Sequence, residues 1–289
     1  MSNPVAATAV GPMVLAAVEQ YEPVPRRLVD DDMALSFLPA GARAFARTAR
    51  WSVVRRLLIR ATERSGPGLW SNLTCRKRYL GDKLTESLPH IDAVVILGAG
   101  LDTKAYRLAR HSTVPVFEVD LPVNIERKRA VVRSALGAVP PSVQLVPVDF
   151  ENDDLAAELA RHGHRGGHRT FFIWEGVTQY LTADGVASTF EFLRSAAPGS
   201  RLGFTYVRGD FVDGTNRYGA ESLYRRFRVR SQLWQFGLQP DRVAAFIEPY
   251  GWRLIEQAGP DYLTEQYISP TGRKLTASQV EWTAYAEKC

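Results

Sequence analysis

Glycine and acidic residues follow several short apolar runs in the middle of the sequence, and these residue types could hold a nucleotide-like ligand. Gly98 follows the run 94–97, and Asp120, Asp149 and Glu175 end or follow later runs of the same kind. Carboxylates accept hydrogen bonds from sugar hydroxyls and pair with amines, whereas a glycine lets the backbone approach a ligand closely. Each acid alone could be an ordinary cap. Their recurrence after successive runs favours a binding edge.

The most informative single segment is Leu-Gly-Ala-Gly-Leu-Asp-Thr at positions 97–103. A glycine pair between a strand and a helix directs the free N–H groups of the helix toward a ligand. Asp120 follows Gly100 by 20 residues, the spacing at which a carboxylate accepts hydrogen bonds from the ribose hydroxyls of an adenosine. The segment therefore predicts an adenosine-containing ligand.

Positions 102 and 103 discriminate among adenosine ligands. A dinucleotide fingerprint places a third glycine three residues after Gly100, but that position is Thr103. Asp102 would repel a diphosphate, whereas it would attract a cationic tail such as that of S-adenosylmethionine. It could also cap the helix that starts near Thr103, and the two uses are compatible. S-adenosylmethionine is favoured, and an NAD-linked oxidoreductase or a non-catalytic adenosine-ligand-binding protein are the alternatives.

A sheet is needed to place these strand ends side by side. From residue 92 onward, short β-rich runs alternate with helical stretches, which predicts a parallel sheet covered on both faces. The predicted strands are 94–97, 114–119, 143–148, 171–174, 202–207, 252–256 and 280–288. The predicted fold class is α/β: a Rossmann-like doubly wound sheet, mostly parallel, with an antiparallel C-terminal strand. Ligands bind such sheets at the carboxyl ends of the strands.

Helical segments precede and interrupt the sheet. Apolar residues that include Trp51 and Leu57 recur every three or four positions over 45–62, which predicts a helix there. We expect residues 1–75 to form an N-terminal helical lid and residues 76–289 to form the ligand-binding core. An insertion at about 208–250 is rich in aromatic rings, which could line an acceptor pocket or pack onto the core.

Composition narrows the possible classes. Apolar residues make up 45% and charged residues 23% of the chain, which is typical of globular proteins. The net charge is +5, and the basic run at 225–230 is better explained as a solvated helix face than as a nucleic-acid site. No apolar run is long enough to span a bilayer, and no signal peptide is recognisable. We therefore expect no nucleic-acid or membrane partner.

The cysteines and histidines give no metal or disulfide signature. Cys75 and Cys289 form no disulfide framework, so a reducing cytoplasm is the expected location. His162, His164 and His168 lie in a glycine-rich loop before a predicted strand, at its amino end and away from the ligand edge. A solvated loop is favoured over a metal tract, and no metal is predicted.

Four motifs together resemble a known family. They are residues 97–103 with Tyr-Arg-Leu at 106–108, Phe-Glu-Val-Asp-Leu-Pro at 117–122, Asp-Phe at 149–150, and Trp-Glu-Gly-Val-Thr-Gln-Tyr-Leu at 174–181. The chain is similar to the leucine carboxyl methyltransferase family, and more closely to its bacterial branch of S-adenosylmethionine-dependent O-methyltransferases. The resemblance covers nearly the whole chain. It implies the class I methyltransferase fold and the methyl donor, but it does not identify the acceptor.

The resemblance also implies roles for individual residues. Arg76, in a predicted turn at 76–79, would pair with the donor's carboxylate, with Arg78 as the weaker candidate, and Glu175 would lie near its ammonium group. Gly98 and Gly100 would lie beneath the methionine portion, and Asp120 would bind the ribose. Asp149 and Phe150 would contact the adenine. The predicted cofactor-binding set is Arg76, Gly98, Gly100, Asp102, Asp120, Leu121, Asp149, Phe150 and Glu175.

The acceptor side is less defined. Methyl transfer from a sulfonium needs alignment and exclusion of water, and a carboxylate acceptor needs no general base. We name no catalytic base. Tyr180 and Tyr206, at the ends of predicted strands, are the candidates for lining the acceptor site. The expected reaction is methyl transfer to a carboxylate or hydroxyl of a small metabolite, and the oligomeric state stays open.

Overall fold

The computed structural model describes residues 8–150 and 152–289. Its centre is a seven-stranded sheet. The strands are β1 (Ala93–Leu97), β2 (Val116–Asp120), β3 (Val143–Pro147), β4 (Thr170–Trp174), β5 (Arg201–Val207), β6 (Trp252–Ala258) and β7 (Glu281–Lys288). Their order across the sheet is β3-β2-β1-β4-β5-β7-β6.

The sheet has the predicted direction of strands. Strands β1 to β5 pair in parallel, whereas β7 is antiparallel to both β5 and β6, so β7 alone runs against the others. The strand order reverses between β1 and β4, which is where an open parallel sheet forms its ligand crevice. The predicted fold class, including its antiparallel C-terminal strand, is confirmed.

Helices cover both faces of the sheet. The helices are α1 (Val10–Glu19), α2 (Ala34–Phe37), α3 (Ala40–Thr48), α4 (Ser52–Ser65), α5 (Leu69–Ser87), α6 (Lys104–Leu108), α7 (Pro122–Leu136), α8 (Leu155–Arg161), α9 (Ala183–Arg194), α10 (Gly209–Val212), α11 (Glu221–Tyr224), α12 (Val243–Ile247) and α13 (Pro260–Leu263). Alternate residues of β1 explain the two layers. Val94 and Ile96 join the apolar cluster under α1, α5 and α6, while Val95 and Leu97 join the cluster under α8, α9 and α12.

The segment that contains Arg76 is a helix and not the predicted turn. It lies in the middle of the 19-residue helix α5, which packs against β4 and β5. The prediction was wrong because the buried face of α5 is largely polar, with Asn72, Arg76 and Lys77 all buried. A polar inner face hides the apolar periodicity that normally reveals an amphipathic helix. The boundary predicted at 75/76 falls inside this helix.

The helix predicted over 45–62 is also different in the structure. It is divided into α3 and α4, with a break at residues 49–51. Trp51 and Leu57, which supported the prediction, are 55% and 57% exposed. The side chains that α4 turns toward the protein are Leu58 and Ile59, which pack on the core in part.

The aromatic rings of the insertion largely pack against one another. Phe211 and Trp234 are buried in a small apolar cluster beyond the end of β5. The Phe227 and Trp234 rings are stacked with centroids 4.6 Å apart, and Tyr224 meets Phe211 edge-on. Of the two uses left open by the sequence, packing therefore accounts for most of these rings.

Candidate functional site

The glycine loop follows β1 at the carboxyl edge of the sheet and has the conformation that its sequence requires. Gly98 and Gly100 have φ angles of +70° and +45°, in a backbone region that residues other than glycine rarely adopt. A Cβ on Gly98 would lie 2.3 Å from Val177, in the segment after β4. The start of the N-terminal helical region lies over the loop, because Ala9 Cβ is 3.2 Å from where a Cβ on Gly100 would stand.

Asp120 ends β2 beside this loop. Its Oδ2 accepts a hydrogen bond from the Gly100 amide at 2.6 Å. Its Oδ1 accepts from the Leu121 amide and from Asn124 Nδ2, both at 2.7 Å. Asp120 is 7% exposed. The structure thus brings the predicted ribose residue together with the glycine loop, and it gives Asp120 a second task in fixing that loop.

Glu175, directly after β4, is held between two cations. Its Oε1 is 3.2 Å from Nε of Arg76, and its Oε2 forms a salt bridge with Lys104 Nζ. Lys104 also lies 2.8 Å from Asp102 Oδ2, and Lys77 Nζ lies at the same distance from that oxygen. The first turn of α6 adds a backbone contact, because the Lys104 amide donates to Asp102 Oδ1 at 2.6 Å. Asp102 thus satisfies the first amide of α6 from the position before the N-cap residue, Thr103.

Two further carboxylates complete this buried charge cluster. Arg76 NH1 lies 2.6 Å from Glu281 Oε2, at the start of β7. Asp31 accepts from Thr103 Oγ1 at 2.6 Å and lies 3.3 Å from Lys77 Nζ, so it ties the N-terminal region to the loop. We call the set Asp31, Arg76, Lys77, Asp102, Lys104, Glu175 and Glu281 the edge cluster. Its three cations and four carboxylates give a formal charge of −1.

The lysines and the arginine keep Asp102 and Glu175 ionised. Burial alone would raise the pKa of Asp102, but the ammonium groups of Lys104 and Lys77 outweigh it and hold that pKa well below the usual range. Burial likewise opposes ionisation of Glu175, and Lys104 and Arg76 together lower its pKa. The edge therefore presents carboxylates rather than carboxylic acids.

A second buried pair supports the loop from behind. Lys128 of α7 forms a salt bridge of 2.5 Å with Glu118 and lies 3.2 Å from the carbonyl oxygen of Ala99. Tyr106 donates to the other oxygen of Glu118 at 2.6 Å. Burial raises the pKa of Glu118 in spite of Lys128. Lys77, Lys104, Lys128 and Glu281 were missed by sequence reasoning. Lys77 and Lys128 each stand between two arginines, which in the sequence resembles an exposed helix face and gives no signal of burial.

The remaining predicted cofactor residues lie along the same edge. Asp149 follows β3, and its Oδ2 accepts from Asn152 at 2.9 Å. Phe150 is partly buried against the apolar cluster of α8 and α9. Leu121 lies directly before α7 and is partly exposed.

The two tyrosines are placed differently. Tyr180 ends a short helical turn after β4 and is half-buried beside the cluster of the insertion. Tyr206 is fully buried among the apolar side chains under α9 and α12, and its hydroxyl donates to Gln257 Oε1. Tyr206 therefore does not line an open site, because its position in β5 points it into the core rather than beyond the strand end.

The five histidines lie in segments that precede strands, so they are at the opposite edge of the sheet. His90 precedes β1 and His111 precedes β2, whereas residues 162–168 precede β4. His164 lies 3.0 Å from Thr170 at the start of β4, and burial lowers its pKa to about 4. Within residues 8–150 and 152–289, no group of three or more His, Cys, Asp or Glu side chains could hold a metal ion. No helix in that part of the chain is long and apolar enough to cross a membrane.

The edge cluster fits a small cation that carries an amine and a carboxylate. Its formal charge of −1 would balance a ligand of net charge +1, whereas a diphosphate would add negative charge to buried carboxylates. S-adenosylmethionine has one sulfonium, one ammonium and one carboxylate group. A protein from Thermobifida fusca described as a methyltransferase has a similar fold, with a TM-score of 0.57, 18% identity, and 99% of this chain and 97% of that chain covered.

The fold is that of the class I methyltransferases, and the family to which the chain belongs identifies the methyl donor as S-adenosylmethionine. The model of the leucine carboxyl methyltransferase family matches residues 9–194. The chain belongs to this family, and the family resemblance seen in its motifs is confirmed. This membership excludes the alternative of an NAD-linked oxidoreductase.

Relatives named as S-adenosyl-L-methionine-dependent methyltransferases are similar over most of the chain. One from Frankia alni is 30% identical over 255 residues, which cover 86% of this chain and 82% of the relative. One from Mycolicibacterium vanbaalenii is 31% identical and covers 93% of this chain and 91% of its own. The cofactor of the chain is S-adenosylmethionine, as the sequence predicted.

Proposed function

We propose that the protein transfers the methyl group of S-adenosylmethionine to an oxygen of a small metabolite, with a carboxylate as the preferred acceptor over a hydroxyl. The observation that carries this proposal is the position of the histidines. All five lie in segments that precede strands, whereas the ligand edge is built from the segments that follow them. A hydroxyl acceptor needs a group that takes its proton, and histidine is the usual one. A carboxylate is already deprotonated.

The donor site that we propose uses the residues of the carboxyl edge. Asp120 would accept hydrogen bonds from the ribose hydroxyls, and its neighbour Leu121 would line the sugar. Asp149 and Phe150 would contact the adenine. This assignment is supported by the order of the strands, because β1, β2 and β3 are adjacent and their ends follow one another along the edge.

The methionine end of the donor would lie on the other side of β1. Gly98 and Gly100 would lie beneath it, Arg76 would bind the carboxylate, and Glu175 would bind the ammonium group with Asp102 nearby. The contacts within the edge cluster support this assignment. Arg76, Lys77 and Lys104 keep both acids ionised and hold them in place through salt bridges, so little reorganisation is needed on binding.

The chain contributes alignment and water exclusion to the reaction. S-adenosylmethionine supplies a methyl group that is already activated by the sulfonium. Residues 8–75, as a helical lid, would close over the donor, and the contact of Ala9 with the glycine loop supports this role. Tyr180 and the insertion at 208–250 would border the acceptor, with Tyr180 as the better placed of the two predicted tyrosines because it is half-buried.

The acceptor can be identified by the chemistry of the product. The protein is incubated with S-adenosylmethionine labelled in its methyl group and a panel of small carboxylic acids, phenols and alcohols. Mild alkali releases labelled methanol from a methyl ester but not from a methyl ether. We expect alkali-labile label from one or more acids. Label that resists alkali, found only with phenols or alcohols, would contradict the preference for a carboxylate.

A further inference from the structure

The outer surface of α3 and α4 exposes an unusual number of large apolar side chains. In the described part of the chain, nine large hydrophobic residues are exposed, and four of them lie within residues 45–57. They are Phe45 (49% exposed), Trp51 (55%), Val53 (58%) and Leu57 (57%). Single exposed apolar residues are common, whereas a local group of them marks an interaction site.

The same surface carries arginines in a regular pattern. On α4, Val53, Leu57 and Ala61 are exposed at four-residue spacing, and Arg56, Arg60 and Arg64 are exposed at the same spacing one position away. Residues four apart on a helix lie on one side. Thus an apolar stripe and a basic stripe run side by side along α4.

The charge of this region is not balanced within the protein. Residues 40–65 contain seven arginines and one acid, Glu63, which gives a formal charge of +6. Arg55 pairs with Glu22 at 2.6 Å, and Arg43 donates to backbone carbonyls. Among the described residues, the other five form no salt bridge with a carboxylate: Arg47, Arg50, Arg56, Arg60 and Arg64.

The body of the protein holds α4 in this orientation. Leu58 and Ile59 pack in part on the core, and α4 lies against α5. No residue of α4 is fully buried. The exposed stripes are therefore the outer face of a fixed helix. We call the exposed residues of 45–64 the arginine face.

We propose that the arginine face binds the surface of an anionic phospholipid bilayer. Arginine pairs with phosphate groups, and exposed Trp, Phe and Leu side chains enter the region between headgroups and acyl chains. Charge complementarity selects an anionic partner and disfavours a second copy of this face, which would bring +6 against +6. The aliphatic Val53 and Leu57 favour lipid over nucleic acid, whose bases stack on rings. This proposal is independent of the proposed acceptor, and it replaces the sequence-based expectation of no membrane partner.

Vesicle sedimentation tests the proposal with the full chain. We expect partition onto vesicles of phosphatidylcholine mixed with phosphatidylglycerol, and little onto phosphatidylcholine alone, with weaker binding as salt rises. The triple variant Arg56→Gln, Arg60→Gln and Arg64→Gln should bind about 100-fold more weakly, from a contribution of about 1 kcal/mol for each basic residue at the membrane surface. Val53→Ser with Leu57→Ser should weaken binding by about 10-fold or more through lost apolar insertion.

The basic run at 225–230 provides a matched control. Arg225, Arg226 and Arg230 are exposed, as is Val229 at 58%. Replacing these three arginines by Gln removes the same net charge from a different surface and should leave vesicle binding close to that of the wild type. A binding loss as large as that of the α4 triple variant would show a dependence on total charge and would overturn the proposed site.

Fluorescence gives a second readout. Of the six tryptophans, Trp51 is exposed, Trp282 is partly buried against Gly259, and four are buried: Trp70, Trp174, Trp234 and Trp252. Anionic vesicles should therefore shift the tryptophan emission to shorter wavelength, and Trp51→Phe should abolish the shift while leaving the melting temperature unchanged. Failure of the wild type to bind anionic vesicles at low salt would contradict the proposal. So would the finding that the α4 variants instead dissociate an oligomer or lose binding to nucleic acid.

Discussion

The edge cluster and the arginine face are both rich in cations, but the cations are buried and paired in the first and exposed and unpaired in the second. In the edge cluster, Arg76, Lys77 and Lys104 each lie within salt-bridge distance of two carboxylates and are almost fully buried. On the arginine face, Arg56, Arg60 and Arg64 are exposed and form no salt bridge with a carboxylate among the described residues, whereas the partly buried Arg55 beside them pairs with Glu22.

The difference indicates two kinds of partner. Buried charges must be balanced inside the fold, because an unpaired ion in a low-dielectric interior is very costly. The edge cluster therefore ends with a small residual charge, which suits one small ligand. Exposed arginines cost the fold little, since water solvates them. Their unpaired positive charge is therefore available to bind a large anionic surface.

Removing one cation from the edge cluster should have the largest effect on stability. Lys104→Met leaves Asp102 and Glu175 buried with one ammonium group fewer. We expect the free energy of unfolding to fall by about 3 kcal/mol or more, as is usual when one partner of a buried ion pair is removed. Urea denaturation followed by circular dichroism measures this change. Lys104→Arg keeps the charge and should recover part of the loss. Equal stability of Lys104→Met and wild type would show that the cluster is not a tightly coupled unit.

The second-largest effect is expected on ligand affinity, when an acid that is proposed to bind the ligand is removed. Asp120→Ala should weaken S-adenosylhomocysteine binding by about 1 to 3 kcal/mol, the cost of lost hydrogen bonds to a charged group. Calorimetric titration gives the affinity, and the melting temperature reports on the glycine loop that Asp120 also fixes. Asp149→Ala, on the adenine side of the same edge, is the companion variant and should cost less. Unchanged affinity of Asp120→Ala in an intact fold would refute the ribose assignment.

Lowering the pH should reduce the stability of the fold in two different pH ranges, one set by the edge cluster and one by His164 at the opposite edge of the sheet. Asp102 and Glu175 have a lowered pKa in the folded state, so their stabilising effect is present above the ordinary value of 4.5 for Glu175 and is lost as the pH falls below it. His164 has a pKa lowered to about 4, so it costs stability as the pH falls from 6.5 to that value.

Melting temperatures between pH 7 and pH 3 test these two windows. In His164→Asn, we expect the decline between pH 6.5 and 4 to become shallower while the decline at lower pH stays. Lys104→Met should lose less stability than the wild type as the pH falls below 4.5, because Glu175 loses a cation that lowers its pKa and its folded and unfolded pKa values become more alike. A wild-type profile in Lys104→Met would contradict the role of Lys104.

Single changes on the arginine face should have the smallest effect on the fold. Arg60→Gln should change the free energy of unfolding by less than about 0.5 kcal/mol, as is usual for surface substitutions. Denaturation under the conditions used for Lys104→Met provides the direct comparison. A destabilisation as large as that of Lys104→Met would show that the two regions do not differ in the way described.

The sequence predicted the sheet well and the helices less well. The strands were visible because β1 and β4 are continuous apolar runs, and the glycine loop and Asp120 were visible because their spacing is specific. The identity of α5 was hidden, since its inner face includes Asn72, Arg76 and Lys77. Only the fold shows that Glu281 binds both Asn72 and Arg76, and that the partners of Lys77 are Asp31 and Asp102. Tyr206 was misjudged because the side that a strand residue faces depends on its register. The exposure of Trp51 was not predicted, because it follows from the break at residues 49–51 between α3 and α4.

A crystal structure with S-adenosylhomocysteine bound would test the central claim most directly. We expect the ribose hydroxyls to meet the carboxylate of Asp120 and the amine to lie within hydrogen-bonding distance of Glu175, with the carboxylate of the ligand at Arg76. A ligand bound away from the ends of β1, β2 and β4, with Asp120 and Glu175 making only the contacts they make without it, would contradict the account.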